Sequence, residues 1–264
     1  MSEEGSMSEY PLPNAGHDLG GQVALVTGAT SGLGWRFAEV LAAAGARVVI
    51  SGRRVERLEA LAEQLRAKGA EVLPVAMDMT DRASLRAGLD QAEAVFGRVQ
   101  ILVNNAGIPD AQRAHKMGDE LIDRVFNTNL IAPWVLSCEV ARRLIDAGEK
   151  GRMVNIASVA AYNYSGNGAA LYSVTKAAVV RMTEALAVEW AKFGINVNGI
   201  APGAFESEMM DGMLERMGDI AKYFPRGRVC PSPLMDSTLL YLVSPASEAV
   251  TGTVIKIDDG QGPR

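Results

Sequence analysis

From residue 21 onward the sequence alternates short β-branched apolar runs with longer segments whose apolar residues recur at three and four positions. A chain patterned in this way is expected to build a parallel sheet, because each strand needs a crossover helix before the next can lie alongside it. Seven strands are predicted, over Val23–Thr27, Arg47–Ser51, Glu71–Ala76, Ile101–Val103, Met153–Ala157, Asn196–Ile200 and Val254–Ile257. Most of these runs are continuous instead of alternating, so helices are expected on both faces of the sheet. The helical pattern is clear over 81–96: Leu85, Leu89, Ala92 and Phe96 share one face, Arg82, Arg86, Asp90 and Glu93 another, and Asp81 stands where it would cap the first turn. Right-handed crossovers bring every strand's C-terminal end to one sheet edge, where a ligand crevice belongs. The fold class expected is therefore α/β, a single doubly wound domain over 21–264.

Length and charge narrow the function classes. The 264 residues fit one large α/β domain, and no internal repeat or low-complexity linker divides them. Lys and Arg total 26 against 31 Asp and Glu, a net charge of −5 that argues against nucleic acid or an anionic membrane as partner. The two cysteines, Cys138 and Cys230, lack CxxC spacing and only two histidines are present, so no metal site is expected and both thiols read as free in a reducing cytoplasm. Residues 1–20 carry acidic and turn-forming residues without a basic start or an apolar stretch, and are expected to form a solvated tail and not an export signal.

Four segments without Asp, Glu, Lys or Arg fall where strands meet the presumptive ligand edge: Leu19–Trp35, Val99–Pro109, Met153–Thr175 and Phe193–Phe205. Burial of central strands alone excludes charge. The loops that follow are nevertheless polar, rich in Gly, Asn, Ser and Thr, as suits backbone and hydroxyl contacts to a large bound cofactor. The weakly patterned section 204–233 reads as a lid or binding loop. Its Phe205, Met209, Met210, Met213, Leu214, Met217 and Phe224 either pack that lid onto the core or form an adaptable apolar wall for substrate.

Three motifs carry chemistry. After the first strand comes Thr27-Gly28-Ala29-Thr30-Ser31-Gly32-Leu33-Gly34, a glycine-rich turn before a helix, whose backbone N–H groups and positive end suit a pyrophosphate. The second strand ends at Ser51-Gly52-Arg53-Arg54. A carboxylate there would favour a ribose 2′-hydroxyl, whereas Arg53 suits a 2′-phosphate, predicting NADP(H) over NAD(H) unless both arginines are simply solvated. Tyr172-Ser173-Val174-Thr175-Lys176 sets a phenol and an ammonium four residues apart on one helix face, where the cation is expected to lower the phenol's pKa towards working pH.

Taken with Asn104-Asn105-Ala106-Gly107 after the fourth strand, Ser158 after the fifth and Ala201-Pro202-Gly203 after the sixth, these motifs stand in the order that resembles the short-chain dehydrogenase/reductase family, over residues 21 to about 260. The resemblance implies a Rossmann-type fold and a catalytic set of Asn129, Ser158, Tyr172 and Lys176. Tyr172 would be the general acid in carbonyl reduction, Lys176 would lower its pKa and hold the nicotinamide ribose, Ser158 would bond the carbonyl oxygen, and Asn129 would hold a relay water. Cofactor contacts implied are Gly28, Thr30, Ser31, Gly32, Leu33 and Gly34 from the first turn, with Arg53, Asp78 and Met79 at the adenosine end. Asn105, Ala106, Gly107, Pro202, Gly203 and Ser207 would complete them, together with Tyr172 and Lys176. Asp78 also reads as a turn residue and Asn129 as the partner of a helix kink. Two departures are Ser207, where the family often has threonine, and Asp258-Asp259-Gly260, where it usually reads Asp-Gly-Gly and where Asp must tolerate a left-handed backbone.

The expected activity is reversible hydride transfer between NADP(H) and a carbonyl or secondary alcohol, as a ketone or 3-oxoacyl reductase in the cytoplasm. The alternatives are an NAD(H)-dependent alcohol, steroid or sugar dehydrogenase and a non-catalytic NADP(H) sensor. The resemblance further implies a homotetramer, or a homodimer, with helices near 133–147 and 172–193 pairing between subunits.

Overall fold

The computed structural model describes residues 13–164, 166 and 168–262. Alternating strands and helices run β1 (Val23–Thr27), α1 (Gly32–Ala43), β2 (Arg47–Gly52), α2 (Val55–Arg66), β3 (Val72–Ala76), α3 (Arg82–Phe96) and β4 (Ile101–Asn104). They continue through α4 (Asp119–Phe126), α5 (Ala132–Ala147), β5 (Gly151–Ile156), α6 (Ala170–Trp190), β6 (Ile195–Pro202), α7 (Glu208–Met217), α8 (Asp236–Val243) and β7 (Val254–Ile257). The strands form one parallel sheet in the order β3-β2-β1-β4-β5-β6-β7. Strand order reverses between β1 and β4, and the loops leaving these two strands diverge there to open a crevice.

All seven predicted strands are present, β1 and β7 with the expected bounds and the other five with shifted ends. β5 begins two residues early because Gly151 and Arg152 find partners in Ile195 and Asn196 of β6, a pairing that local sequence does not reveal. β1 is buried along its whole length and divides the core by its pleat. Ala24 and Val26 meet Phe37 and Leu41 of α1, Leu58 of α2 and Leu239 of α8 on one face. Val23 and Leu25 meet Leu85 and Leu89 of α3, Leu136 of α5 and Leu186 of α6 on the other. Asp81 caps α3 as expected, its carboxylate accepting from the Ala83 N–H at 2.8 Å.

The tail expected over 1–20 ends sooner. Residues 1–12 lie outside the described residues, but Leu19 is fully buried in the core and its N–H donates to Ala44 O at 2.8 Å, while Ser244 Oγ donates to Gly16 O at 2.7 Å. A leucine between acidic and glycine residues looked solvated in sequence, yet it fills the space between α1 and the start of β1. Asp259 does take the left-handed backbone expected of it, at φ +51°, with its carboxylate 3.0 Å from Arg226 and 2.7 Å from Arg228. These ion pairs join the end of the 204–233 section to the C-terminal turn. No described helix is long and apolar enough to cross a membrane.

Candidate active site

The loops at the C-terminal sheet edge enclose a cleft of ≈ 840 Å³. Its upper part is made where the turns after β1 and β4 are stitched together. Thr27 Oγ1 accepts from the N–H groups of Asn105 and Ala106, each at 3.1 Å, and Asn105 Nδ2 donates to Thr27 O at 2.9 Å and Gly28 O at 3.2 Å. Gly28 is left-handed, φ +67°, and a Cβ on Gly34 would stand 2.3 Å from Gly28 O and 2.4 Å from Asn105 Nδ2. The glycines are thus required by the approach of two loops as well as by any ligand. At the cap position of α1, Ser31 makes no side-chain cap. The first-turn N–H groups are left open to an anion, so the residues present fit the pyrophosphate of a dinucleotide.

Every residue expected to contact the cofactor lines this cleft. Several have further tasks. Asp78 Oδ1 accepts from the N–H and hydroxyl of Thr80, at 2.9 and 2.8 Å, and these bonds, with Arg53 nearby, hold its carboxyl below the usual range. The turn role and the cleft role coexist. Ser207 caps α7 by accepting from the Met210 N–H at 3.2 Å. Arg54 was not singled out from sequence, yet it is the more committed of the two arginines after β2. Its guanidinium donates to Thr30 Oγ1 at 2.7 and 3.1 Å and to Ser31 Oγ at 2.9 Å, and pairs with Glu208 at 2.9 Å. Arg57 also pairs with Glu208. This carboxylate at the start of α7 ties the 204–233 section across to the glycine turn. Adjacent basic residues at a helix start gave no sequence signal as to which would point where.

At the lower end Ser158, Tyr172 and Lys176 converge. Ser158 follows β5, its hydroxyl accepting from the Ala160 N–H at 3.1 Å and lying beside the phenol of Tyr172 in the first turn of α6. Lys176, one turn on, is buried, with Nζ donating to Ile156 O at 2.7 Å and lying 5.5 Å from the Tyr172 ring centroid. The expectation that Lys176 lowers the tyrosine pKa is not met in this arrangement. Burial pushes the phenol up, the Asp110 carboxylate pushes it the same way, and only the neighbouring Ser158 hydroxyl opposes them. The ammonium is bound to a carbonyl and lies near the ring, and burial pushes its own pKa down to about 8.

Asn129 stands behind the cleft wall, not in it. It is fully buried in a π-helical turn, Asn127–Ile131, joining α4 to α5. Its Oδ1 accepts from the Ile108 N–H at 2.8 Å, and its Nδ2 donates to Ile108 O at 2.9 Å and to Thr175 Oγ1 at 3.3 Å. The side chain is consumed in fastening the loop after β4 to α6. Met209, Met210 and Met213 of α7 line the cleft with Phe224 and with Phe205, which is also buried in the core, whereas Met217 is exposed. The stripe is therefore divided between packing and cleft, and α7 itself contains no buried residue.

A parallel sheet with a glycine turn at its switch point and a tyrosine–lysine pair in the same cleft defines an NAD(P)-dependent oxidoreductase. The model of the short chain dehydrogenase family matches residues 22–217, and the chain belongs to that family. It is 35% identical over 245 residues to gluconate 5-dehydrogenase of Gluconobacter oxydans, covering 92% of this chain and 95% of that one. It is 34% identical over 242 residues to 3-oxoacyl-[acyl-carrier-protein] reductase of Escherichia coli, covering 91% and 97%. Among solved structures, a variant of actinorhodin polyketide ketoreductase with NADPH superposes at a TM-score of 0.88, with 33% identity and coverage of 92% and 98%. A gluconate 5-dehydrogenase from Burkholderia cenocepacia in complex with NADP and tartrate gives 0.87, with 32% identity and coverage of 94% and 98%.

Proposed function

We propose that this chain is an NADP(H)-dependent carbonyl reductase, with Tyr172 as general acid, Ser158 bonding the substrate oxygen and Lys176 holding the cofactor ribose. The observation that carries this reading is the convergence of the Ser158 hydroxyl, the Tyr172 phenol and the Lys176 ammonium at the foot of the cleft whose other end is the uncapped start of α1. When bound, the nicotinamide supplies a hydride to the carbonyl carbon. A phenol whose pKa is raised by burial keeps its proton at neutral pH and has it available for the oxygen as negative charge develops there. Ser158 is oriented by the bond its hydroxyl accepts from the Ala160 N–H. Asn129 supports the site from behind, by holding Ile108 and Thr175.

Arg53 and the absence of a carboxylate after β2 support NADP(H), as do the structural relatives with bound NADP or NADPH. Arg54 is occupied by Thr30, Ser31 and Glu208, which leaves Arg53, beside Asp78, as the cation for the 2′-phosphate. The methionine wall of α7 supports a substrate with an apolar part, and so a ketone or 3-oxoacyl substrate above a sugar acid. The test is NADPH and NADH oxidation by the purified protein against 3-oxoacyl thioesters, ketosteroids, 2-oxo sugar acids and aryl ketones. Turnover with an apolar ketone is expected, and Arg53→Ala is expected to raise the KM for NADPH about tenfold, the weight of one charge-assisted contact, without changing that for NADH. An unchanged NADPH preference in that variant sinks the cofactor assignment.

The same reading includes self-association. Trp134 on α5 and Val174 and Val188 on α6 are exposed, the last at 81%, on the two helices expected to pair between subunits. Light scattering is expected to give a tetramer or dimer, and Val188→Lys to shift it towards monomer. A monomeric wild-type protein at micromolar concentration overturns this part.

A further inference from the structure

The helix that carries Tyr172 and Lys176 has no side-chain cap of its own. Its cap position is Ala169, which has no group to accept a bond. The first turn is capped instead from a loop some sixty residues earlier. Asp110 is 5% exposed, and its Oδ2 accepts from the backbone N–H of Leu171 at 2.8 Å and of Tyr172 at 3.2 Å. Its Oδ1 accepts from the Ala111 N–H at 2.8 Å. Three N–H donors around one buried carboxylate make a closed fit, and one of them belongs to the proposed general acid itself.

The backbone around Asp110 bears the cost of this arrangement. Ala111 is left-handed at φ +48°, a conformation that a Cβ disfavours and that persists only where the surroundings impose it. Gly168, just before α6, lies against the backbone of Gln112, where a Cβ would come within 3.5 Å. On its other side the loop is gripped by Asn129 through both the N–H and the carbonyl of Ile108. The stretch 107–112 is thus a strap between the π-helical turn and the start of α6, and Asp110 is its fastening on the α6 side.

We propose that Asp110 is a positioning residue of the active site: it caps α6 from the loop after β4, and so sets the height and angle at which the Tyr172 phenol meets Ser158. This rests on the reading of Tyr172 as general acid. A helix N-terminus is stabilised by an anion at its first turn, and a displacement of the phenol by about 1 Å costs far more in turnover than in stability. The groups facing the phenol are Ser158 from the end of β5, Lys176 from α6 itself and Asp110 from the strap. Since the carboxylate raises the phenol's pKa, its removal also leaves a spectroscopic trace.

The test uses Asp110→Asn and Asp110→Ala in the full chain. Asparagine retains an oxygen for the Leu171 and Tyr172 N–H groups but sets an amide against the Ala111 N–H and removes the charge. Alanine removes everything. In both variants the Tyr172 ionisation, followed by phenolate absorbance and isolated by subtracting the same variant carrying Tyr172→Phe, is expected to fall by roughly half a pH unit or more. Turnover per folded molecule is expected to drop about tenfold in the alanine variant, with the KM for NADPH unchanged, and to recover in large part in the asparagine variant. A purely structural cap would lower the melting temperature and shift the ionisation by the lost charge alone, leaving kcat per folded molecule where it was, and that result overturns the proposal. The ionisation is read without substrate. A wild-type protein that turns over nothing, or a Tyr172→Phe variant that is fully active, therefore defeats the functional reading while the coupling between Asp110 and Tyr172 is still decided.

Discussion

Tyr172→Phe is expected to bind NADPH within about twofold of the wild type and to lose roughly a thousandfold in kcat, within the range that a positioned proton donor supplies. The substitution removes one oxygen. The ring remains against Lys176, and α6 remains capped by Asp110, because those bonds involve the Tyr172 backbone and not its hydroxyl. What disappears is the proton that a buried phenol retains at neutral pH. NADPH fluorescence titration checks the first half of the expectation and steady-state kinetics the second. A kcat within threefold of wild type would remove Tyr172 from the chemistry and assign the proton to another donor.

Lys176→Met separates stability from activity with opposite signs. Turnover is expected to fall by about two to three orders of magnitude, since the variant loses a buried cation near the phenol and the ribose contact proposed for it. Stability follows a different course. Burial lowers the ammonium's pKa to about 8 from the ordinary 10.5, so the unfolded chain holds this proton more tightly than the folded one. Below pH 8 the full cost of the buried charge is present, on the order of 3 kcal/mol, and it is relieved as the pH rises from 8 towards 10.5. Methionine fills similar space without that cost, offset by leaving the Ile156 carbonyl without its donor, a loss of about 1–3 kcal/mol. The wild type is therefore expected to gain about 2 kcal/mol on the variant between pH 7 and pH 9.5 in denaturant titrations. No convergence over that interval would show that Lys176 keeps an ordinary pKa in the fold. The same ionisation predicts that wild-type reductase turnover declines above about pH 8, where the cation is discharged.

Much of this architecture can be read from local pattern because the forces that set it are local or periodic. Continuous apolar runs such as Val23–Thr27 and Ile101–Asn104 have no other use than a strand covered on both faces, and 82–96 is a helix for the same reason that its leucines recur at four. The cleft residues were legible because their motifs combine glycine, hydroxyl and amide groups at strand ends, where charge is absent and backbone must come close. Other features escaped because their signal is not in their own neighbourhood. Leu19 looks like part of a tail until α1 closes over it. Sequence assigns Arg53 a role by its place after the strand and is silent on Arg54, which the hydroxyls of Thr30 and Ser31 hold in the fold. Asp110 carries no motif at all.

The sequence by itself therefore determined the strands, the order of the motifs and the class of reaction, since these depend on residue type and spacing along the chain. The tertiary structure alone decided how the groups behave. It turned Asn129 away from the cleft to hold Ile108, set Asp110 on the first turn of α6 and gave Glu208 to Arg54 and Arg57. It also reversed the expected direction of the Tyr172 pKa, because a phenol's acidity is fixed by what surrounds it within a few ångströms: burial, Ser158 and the Asp110 carboxylate. Those neighbours come from separate loops and strands, and folding is what brings them together.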